Sequence, residues 1–108
     1  MCPWFKVAKV SEIKLNSMRE FDVAGYKILL VNASGELYAV EASCPHMGYS
    51  LKFGSLSERV LRCGFHYAEF DIKDGRVLKE PVDSKDTRTL KTYPLRVEGE
   101  TIMVLLDE

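Results

Sequence analysis

Two short segments constrain this chain more than anything else in it: Cys44-Pro45-His46 and Cys63-Gly64-Phe65-His66, with 16 residues between His46 and Cys63. Together they hold both histidines and two of the three cysteines of a 108-residue sequence. Thiolates and imidazoles are ligands for soft and borderline transition metals, and a fold that uses all four must bring two loops to one point. A structural zinc site accepts two thiolates and two imidazoles in a tetrahedron, so the ligand inventory is compatible with zinc. Zinc modules commonly supply like ligands in pairs, Cys with Cys and His with His, whereas each segment here offers one of each. That mixed pairing suits a two-metal cluster clamped between two loops, with both cysteines on one metal and both histidines on the other. Gly48 and Gly64 let loop backbones approach such a group closely, although plain turn formation accounts for a glycine equally well.

The chain is long enough for one hydrophobic core and reads as a single domain over residues 1–108, with no room for a separate nucleotide-binding fold. Fifteen Lys and Arg against 16 Asp and Glu leave a formal net charge of −1, so no positive field favours phosphate backbones or anionic lipid. Nucleic acid is not an expected partner. The longest apolar stretch, Ile28 to Val31, is far short of the roughly 20 residues that span a bilayer. Met1 to Lys6 lacks the basic segment followed by an apolar run of about 7 to 15 residues that marks a secretion signal. The expectation is a soluble, cytoplasmic protein with no membrane association. In a reducing compartment Cys2, Cys44 and Cys63 do not read as disulfide partners. Cys2 has no basic neighbour to lower its pKa appreciably and reads as incidental.

Short β-rich runs broken by turn residues recur along most of the sequence, without helical crossovers, which favours an all-β antiparallel sandwich or small barrel. Tyr26 to Val31 and Glu36 to Val40 flank Asn32-Ala33-Ser34-Gly35 and predict a hairpin with a four-residue connection. Two more hairpins are predicted around Lys73-Asp74-Gly75 and around Glu98-Gly99-Glu100. Ser11 to Leu15 reads equally as one helical turn or as an irregular link. The segment from Lys79 to Thr92, with Pro81 and the polar run Asp83-Ser84-Lys85-Asp86, predicts a surface loop.

With these residues in place, the sequence resembles the Rieske-type [2Fe–2S] ferredoxins, whose motif is Cys-x-His, a spacer of about 16 or 17 residues, then Cys-x-x-His. The surroundings match too: Gly35 to Val40 before the first segment, Ala68-Glu69-Phe70-Asp71 after the second, then Asp74-Gly75, Pro81 and a closing hairpin from Tyr93 to Val104. The resemblance runs from about Val23 onward. It implies a small β-sandwich with a cluster-binding subdomain and one [2Fe–2S] cluster, bound by Cys44 and Cys63 on one iron and by His46 and His66 on the other. High-potential members carry an extra cysteine in each loop, joined as a disulfide; those positions are Tyr49 and Phe65 here, so the bridge cannot form. Those members also place Ser and Tyr hydroxyls where this chain has Ala68 and Phe70. Donors aimed at sulfur stabilise the extra negative charge of the reduced cluster, so their loss implies the low-potential branch. Met47 and Leu51 fit an apolar shell around the cluster or plain core packing, and Phe70, Tyr49 and Phe65 fit both as well. Pro81 resembles the proline loop that covers the third side of such clusters, and the segment 82–89 is long for a compact member.

The resemblance implies a one-electron carrier between larger redox partners, a flavin reductase upstream and an aromatic-ring-hydroxylating oxygenase or similar enzyme downstream. The carrier itself would not be an enzyme. An alternative is the small Rieske subunit of an assimilatory nitrite reductase, and a non-redox alternative is a zinc-stabilised binding module.

Overall fold

The computed structural model describes residues 4–42, 51, 54–63, 68–79 and 89–106. Cys2, Cys44, His46, Met47, Gly48, Tyr49, Gly64, Phe65, His66 and Pro81 lie outside the described residues, as does the polar segment 82–88. In chain order the strands are β1 (Trp4–Lys9), β2 (Ser17–Val23), β3 (Tyr26–Ala33), β4 (Glu36–Glu41), β5 (Ser55–Ser57), β6 (Val60–Arg62), β7 (Glu69–Asp71), β8 (Val77–Lys79), β9 (Thr92–Tyr93), β10 (Leu95–Glu98) and β11 (Thr101–Leu105). A 3₁₀ turn, Val10–Glu12, occupies part of the segment the sequence left undecided. Ile13, just past it, is buried. Among the described residues no helix is long and apolar enough to cross a membrane.

Among the described residues the strands form three antiparallel sheets, in the orders β2-β3-β4-β9, β1-β11-β10 and β5-β6-β7-β8. The expected all-β antiparallel architecture is the one observed. The first sheet is organised by β3, whose Ile28-Leu29-Leu30-Val31 run is fully buried. Side chains alternate across a strand, and each face of β3 here finds its own core. Ile28 and Leu30 join Ile13, Ile102, Val104 and Leu106 in a cluster shared with the β1-β11-β10 sheet. Leu29 and Val31 join Leu51, Leu61, Cys63, Ala68, Phe70, Ile72 and Leu90 in a second cluster shared with the β5-β6-β7-β8 sheet.

The turns beside β3 follow from their residues. Ser34 (φ 54°) and Gly35 (φ 95°) form a two-residue connection, with Ala33 paired to Glu36. Two consecutive positive φ values match the right-handed twist of a hairpin. The four-residue connection expected from the sequence is therefore too long. Ala33 is drawn into the second core, and Asn32 stays in the ladder, donating from Nδ2 to the Ile13 carbonyl (3.1 Å) and accepting from the Gly35 N–H through Oδ1 (3.0 Å). Ala24 (φ 52°) and Gly25 (φ 86°) make the same kind of turn between β2 and β3. The hairpins around Gly75 and Gly99 form where expected, the first with a register irregularity between Glu69 and Phe70. The predicted surface loop from Lys79 to Thr92 is corrected at both ends. Lys79 closes β8, Thr92 opens β9, and Leu90 between them is buried in the second core.

The Tyr38 hydroxyl donates to Glu36 Oε2 (3.0 Å), and the Arg59 side chain of the β5–β6 turn lies within electrostatic reach of it. Partial burial, followed by the Glu36 hydrogen bond and charge, holds the Tyr38 pKa above its ordinary value, with Arg59 opposing. Because β3 feeds both cores, Leu29→Ala and Leu30→Ala are each expected to cost about 2 to 5 kcal/mol in urea denaturation. Leu15→Ala, at a position 64% exposed, is expected to stay within about 0.5 kcal/mol.

Candidate metal centre

The described residues root all three loops that the sequence singles out, and they root them in one place. Strand β4 ends at Glu41, and the Ala42 carbonyl then accepts the Leu51 N–H at 2.6 Å, closing the neck of the segment 43–50 that carries Cys44 and His46. Strand β6 ends at Arg62, and the Cys63 N–H donates to the Ala68 carbonyl at 2.8 Å, closing the neck of the segment 64–67 that carries His66. After β8 the chain passes through the segment containing Pro81 and returns at Leu90, whose N–H donates to the Gly75 carbonyl at 2.8 Å. The return is also fastened to the first neck. The Glu41 N–H donates to the Lys91 carbonyl (2.9 Å), and the Lys91 N–H donates to Glu41 Oε1 (2.8 Å).

Ala42, Leu51, Cys63, Ala68 and Leu90 are all buried in the same hydrophobic cluster. Backbone hydrogen bonds desolvated in this way are costly to break without replacement. The two Cys/His segments therefore leave a single rigid floor, although they lie well apart in sequence.

Of the four expected ligands, the structure describes Cys63. Its side chain is a thiol rather than half of a disulfide, 1% exposed, and its backbone is pinned by the Ala68 carbonyl. A soft sulfur donor, held in an apolar and water-excluding floor at the mouth of a loop, has the chemistry that an iron–sulfur cluster requires. Cys44, His46 and His66 lie outside the described residues, and among the described residues no group of three His, Cys, Asp or Glu side chains is placed to hold a metal ion. Leu51, Ala68 and Phe70 are fully buried in the same hydrophobic cluster as Cys63. That burial makes Phe70 a core residue and fits both readings of these positions, core packing and an apolar shell for a metal centre.

Sequence reasoning missed Leu90 and underrated Gly75. Gly75 has φ +79°, and a Cβ there would lie 1.8 Å from the Leu90 carbonyl oxygen. A turn glycine was legible, but the close approach to the end of the third loop is a long-range contact that no local signal announces. Pairing also sets Ser55, Arg62, Glu69 and Lys79 in one row across the loop end of the third sheet. Arg62 Nε and Glu69 Oε2 are 3.8 Å apart and solvent-screened, so this pair adds little to stability.

Comparison with known proteins bears on which metal such loops hold. A model of the Rieske [2Fe-2S] domain family matches residues 3–94. That match reaches the N-terminal strands, so the resemblance extends further than the start near Val23 read from the motif. The ferredoxin component of the naphthalene 1,2-dioxygenase system of Pseudomonas aeruginosa is 32% identical over 101 residues, covering 94% of this chain and 93% of that protein. The ferredoxin of carbazole 1,9a-dioxygenase from Nocardioides aromaticivorans IC177 has the same fold, with a TM-score of 0.87 at 24% identity over 96% of this chain and 98% of that one. A chain in the complex of reduced oxygenase and oxidized ferredoxin in carbazole 1,9a-dioxygenase matches with a TM-score of 0.83 at 25% identity, over 94% of this chain and 92% of that one. The family match favours the two-metal reading of the mixed Cys/His pairing over zinc.

The burial of Ala68 and Phe70 beside Cys63 sets up a substitution experiment. Ala68→Ser combined with Phe70→Tyr is expected to raise the reduction potential of the iron–sulfur protein, measured by voltammetry, by supplying hydroxyl donors near sulfur. Each hydroxyl that lacks a partner in this apolar floor should cost about 1 to 3 kcal/mol in denaturation.

Proposed function

This chain belongs to the Rieske [2Fe-2S] domain family, and from that premise we propose that it is a one-electron carrier between a flavin reductase and a terminal oxygenase. The observation that carries the reading is the common floor: two short backbone hydrogen bonds, at Ala42/Leu51 and Cys63/Ala68, root both Cys/His segments in one buried cluster. We assign Cys44 and Cys63 to one iron and His46 and His66 to the other. A cluster bound there supplies reversible transfer of one electron.

The other residues of the site have supporting roles. Cys63 presents its sulfur from a position that water does not reach. Ala68 and Phe70 offer no hydroxyl to sulfur, and Tyr49 and Phe65 stand where the high-potential members carry their disulfide cysteines; both features support a reading in the low-potential branch. In this reading Gly48 and Gly64 let the loop backbones approach the cluster closely, Met47 adds to its apolar shell, and Pro81 covers its third side.

The carrier is an electron-transfer protein rather than a catalyst, and it works in the cytoplasm. The relatives named above are components of dioxygenase systems, and one related structure is a complex of ferredoxin with oxygenase. They support an oxygenase as the electron acceptor in preference to a nitrite reductase.

The test is spectroscopic. The purified protein is expected to be coloured, and after reduction to give an EPR signal whose average g value lies below that of an all-cysteine cluster, with one electron taken up per chain. A colourless protein, or a signal of the all-cysteine type, would remove the assignment. His46→Cys and His66→Cys are expected to lose the Rieske spectrum, because a thiolate adds negative charge where a neutral imidazole bound. Cys44→Ser and Cys63→Ser are expected to retain no stable cluster. Retention of the native spectrum by any of the four would contradict its ligand.

A further inference from the structure

We propose that Gly54 is a positioning residue that fixes the spacing between the two ligand-bearing loops and thereby tunes the cluster they hold. The inference rests on the ligand assignment above and adds to it a residue outside both motifs.

Gly54 lies at the start of β5, against the roots of both loops. Its N–H donates to the Leu51 carbonyl at 2.9 Å, which ties it to the neck of the first loop. A Cβ built on Gly54 would lie 2.1 Å from the carbonyl oxygen of Arg62 and 3.2 Å from that of Leu51. The Arg62 carbonyl belongs to the peptide whose nitrogen is that of Cys63. One glycine therefore sits between the last peptide before the cysteine of the second loop and the last turn of the first.

The contact is with backbone, so it cannot be relieved by rotating a side chain. Real Cβ atoms essentially never come within 3.0 Å of a heavy atom, and any side chain at 54 would force a shift of roughly an ångström. Two routes are open to that shift. If the Arg62–Cys63 peptide yields, it moves against the β5 and β7 ladders and against the Cys63 to Ala68 hydrogen bond. If the Leu51 side yields, it moves against the Leu51 to Ala42 hydrogen bond. Both routes change the distance between the necks. A metal site held from two loops is sensitive to displacements of that size, since ligand orientation sets both affinity and potential.

The other glycines separate this effect from ordinary strain. Gly25, Gly35 and Gly99 have φ of +86°, +95° and +63°, with nothing within 4 Å of an added Cβ. Alanine at those turns meets backbone strain in open space. Gly54 is the converse, a backbone outside the left-handed region with no room beside it. Gly75 combines both conditions, which makes Gly54 the cleaner test.

The experiment compares Gly54→Ala with Gly99→Ala in the iron-loaded protein, reading midpoint potential, g values and the rate of iron loss to a chelator. Gly54→Ala is expected to shift the potential and the g values and to lose iron several-fold faster. Gly99→Ala is expected to lower thermal stability while keeping the wild-type potential and g values. A Gly54→Ala protein with wild-type potential, g values and iron retention overturns the proposal. If that variant does not fold or load, hydrogen exchange on the wild-type loaded protein decides: the amides of Leu51, Gly54 and Cys63 are expected to exchange at one common rate, and rates more than tenfold apart overturn it. A wild-type protein without a Rieske signal would instead remove the ligand assignment beneath it.

Discussion

Because the Ile28-Leu29-Leu30-Val31 run has no exposed side chain, β3 must be covered on both faces at once, and the rest of the molecule is arranged around that requirement. One face calls for the β1-β11-β10 sheet and the other for the β5-β6-β7-β8 sheet. The division is also one of labour. The cluster on the Ile28 and Leu30 face includes strand residues of the N- and C-terminal parts of the chain, while the cluster on the Leu29 and Val31 face includes Ala42, Leu51, Cys63, Ala68 and Leu90 at the roots of the three loops. A strand that neither sheet can release links the stability of the ligand floor to the stability of the whole, since opening either core leaves fully apolar β3 side chains in water.

How far the sequence discloses this differs from one residue to the next. The β3–β4 hairpin is legible because the strand is a continuous apolar run and the connection offers Asn32 and Gly35, types that tolerate positive φ, although the residues that adopt it are Ser34 and Gly35. The exact connection length was not, because Asn32 and Ala33 look like turn residues until their tertiary partners, the Ile13 carbonyl and the second core, hold them in the ladder. Strands β2 and β5 carry no fully buried residue and so offer little periodic signal. Leu90 is hidden by the polar sequence around it. The Cys/His motif, by contrast, is legible at once, since ligand chemistry depends on residue type and spacing rather than on packing. What it does not disclose is how its loops are held. The rungs at Ala42/Leu51 and Cys63/Ala68, and the contacts of Gly54 and Gly75, join residues that only the folded chain brings together.

Apolar rooting also fixes the electrostatic character of the site. No charged or polar residue is buried among the described residues, and the charged side chains nearest the second loop, Arg62 and Glu69, stand partly in solvent on the opposite side of their strands from Leu61 and Phe70. Ala68 and Phe70, which share the buried cluster of Cys63, carry neither a charge nor a hydroxyl. Apolar surroundings of this kind disfavour additional negative charge, which is the physical basis of the low potential proposed above.

The three roots have a consequence for how such a protein can diverge. Each loop is held by bonds at its ends, so the number of residues between the ends is not set by the scaffold. Between Lys79 and Leu90 the chain can lengthen without displacing Gly75, Glu41 or the core beneath them, and each doubling of the length between two fixed ends costs only about 0.6 kcal/mol in closure entropy. Lineages can therefore remodel the surface that surrounds the site by insertion while the rungs beneath stay as they are. In this architecture, recognition and ligation are free to change at different speeds.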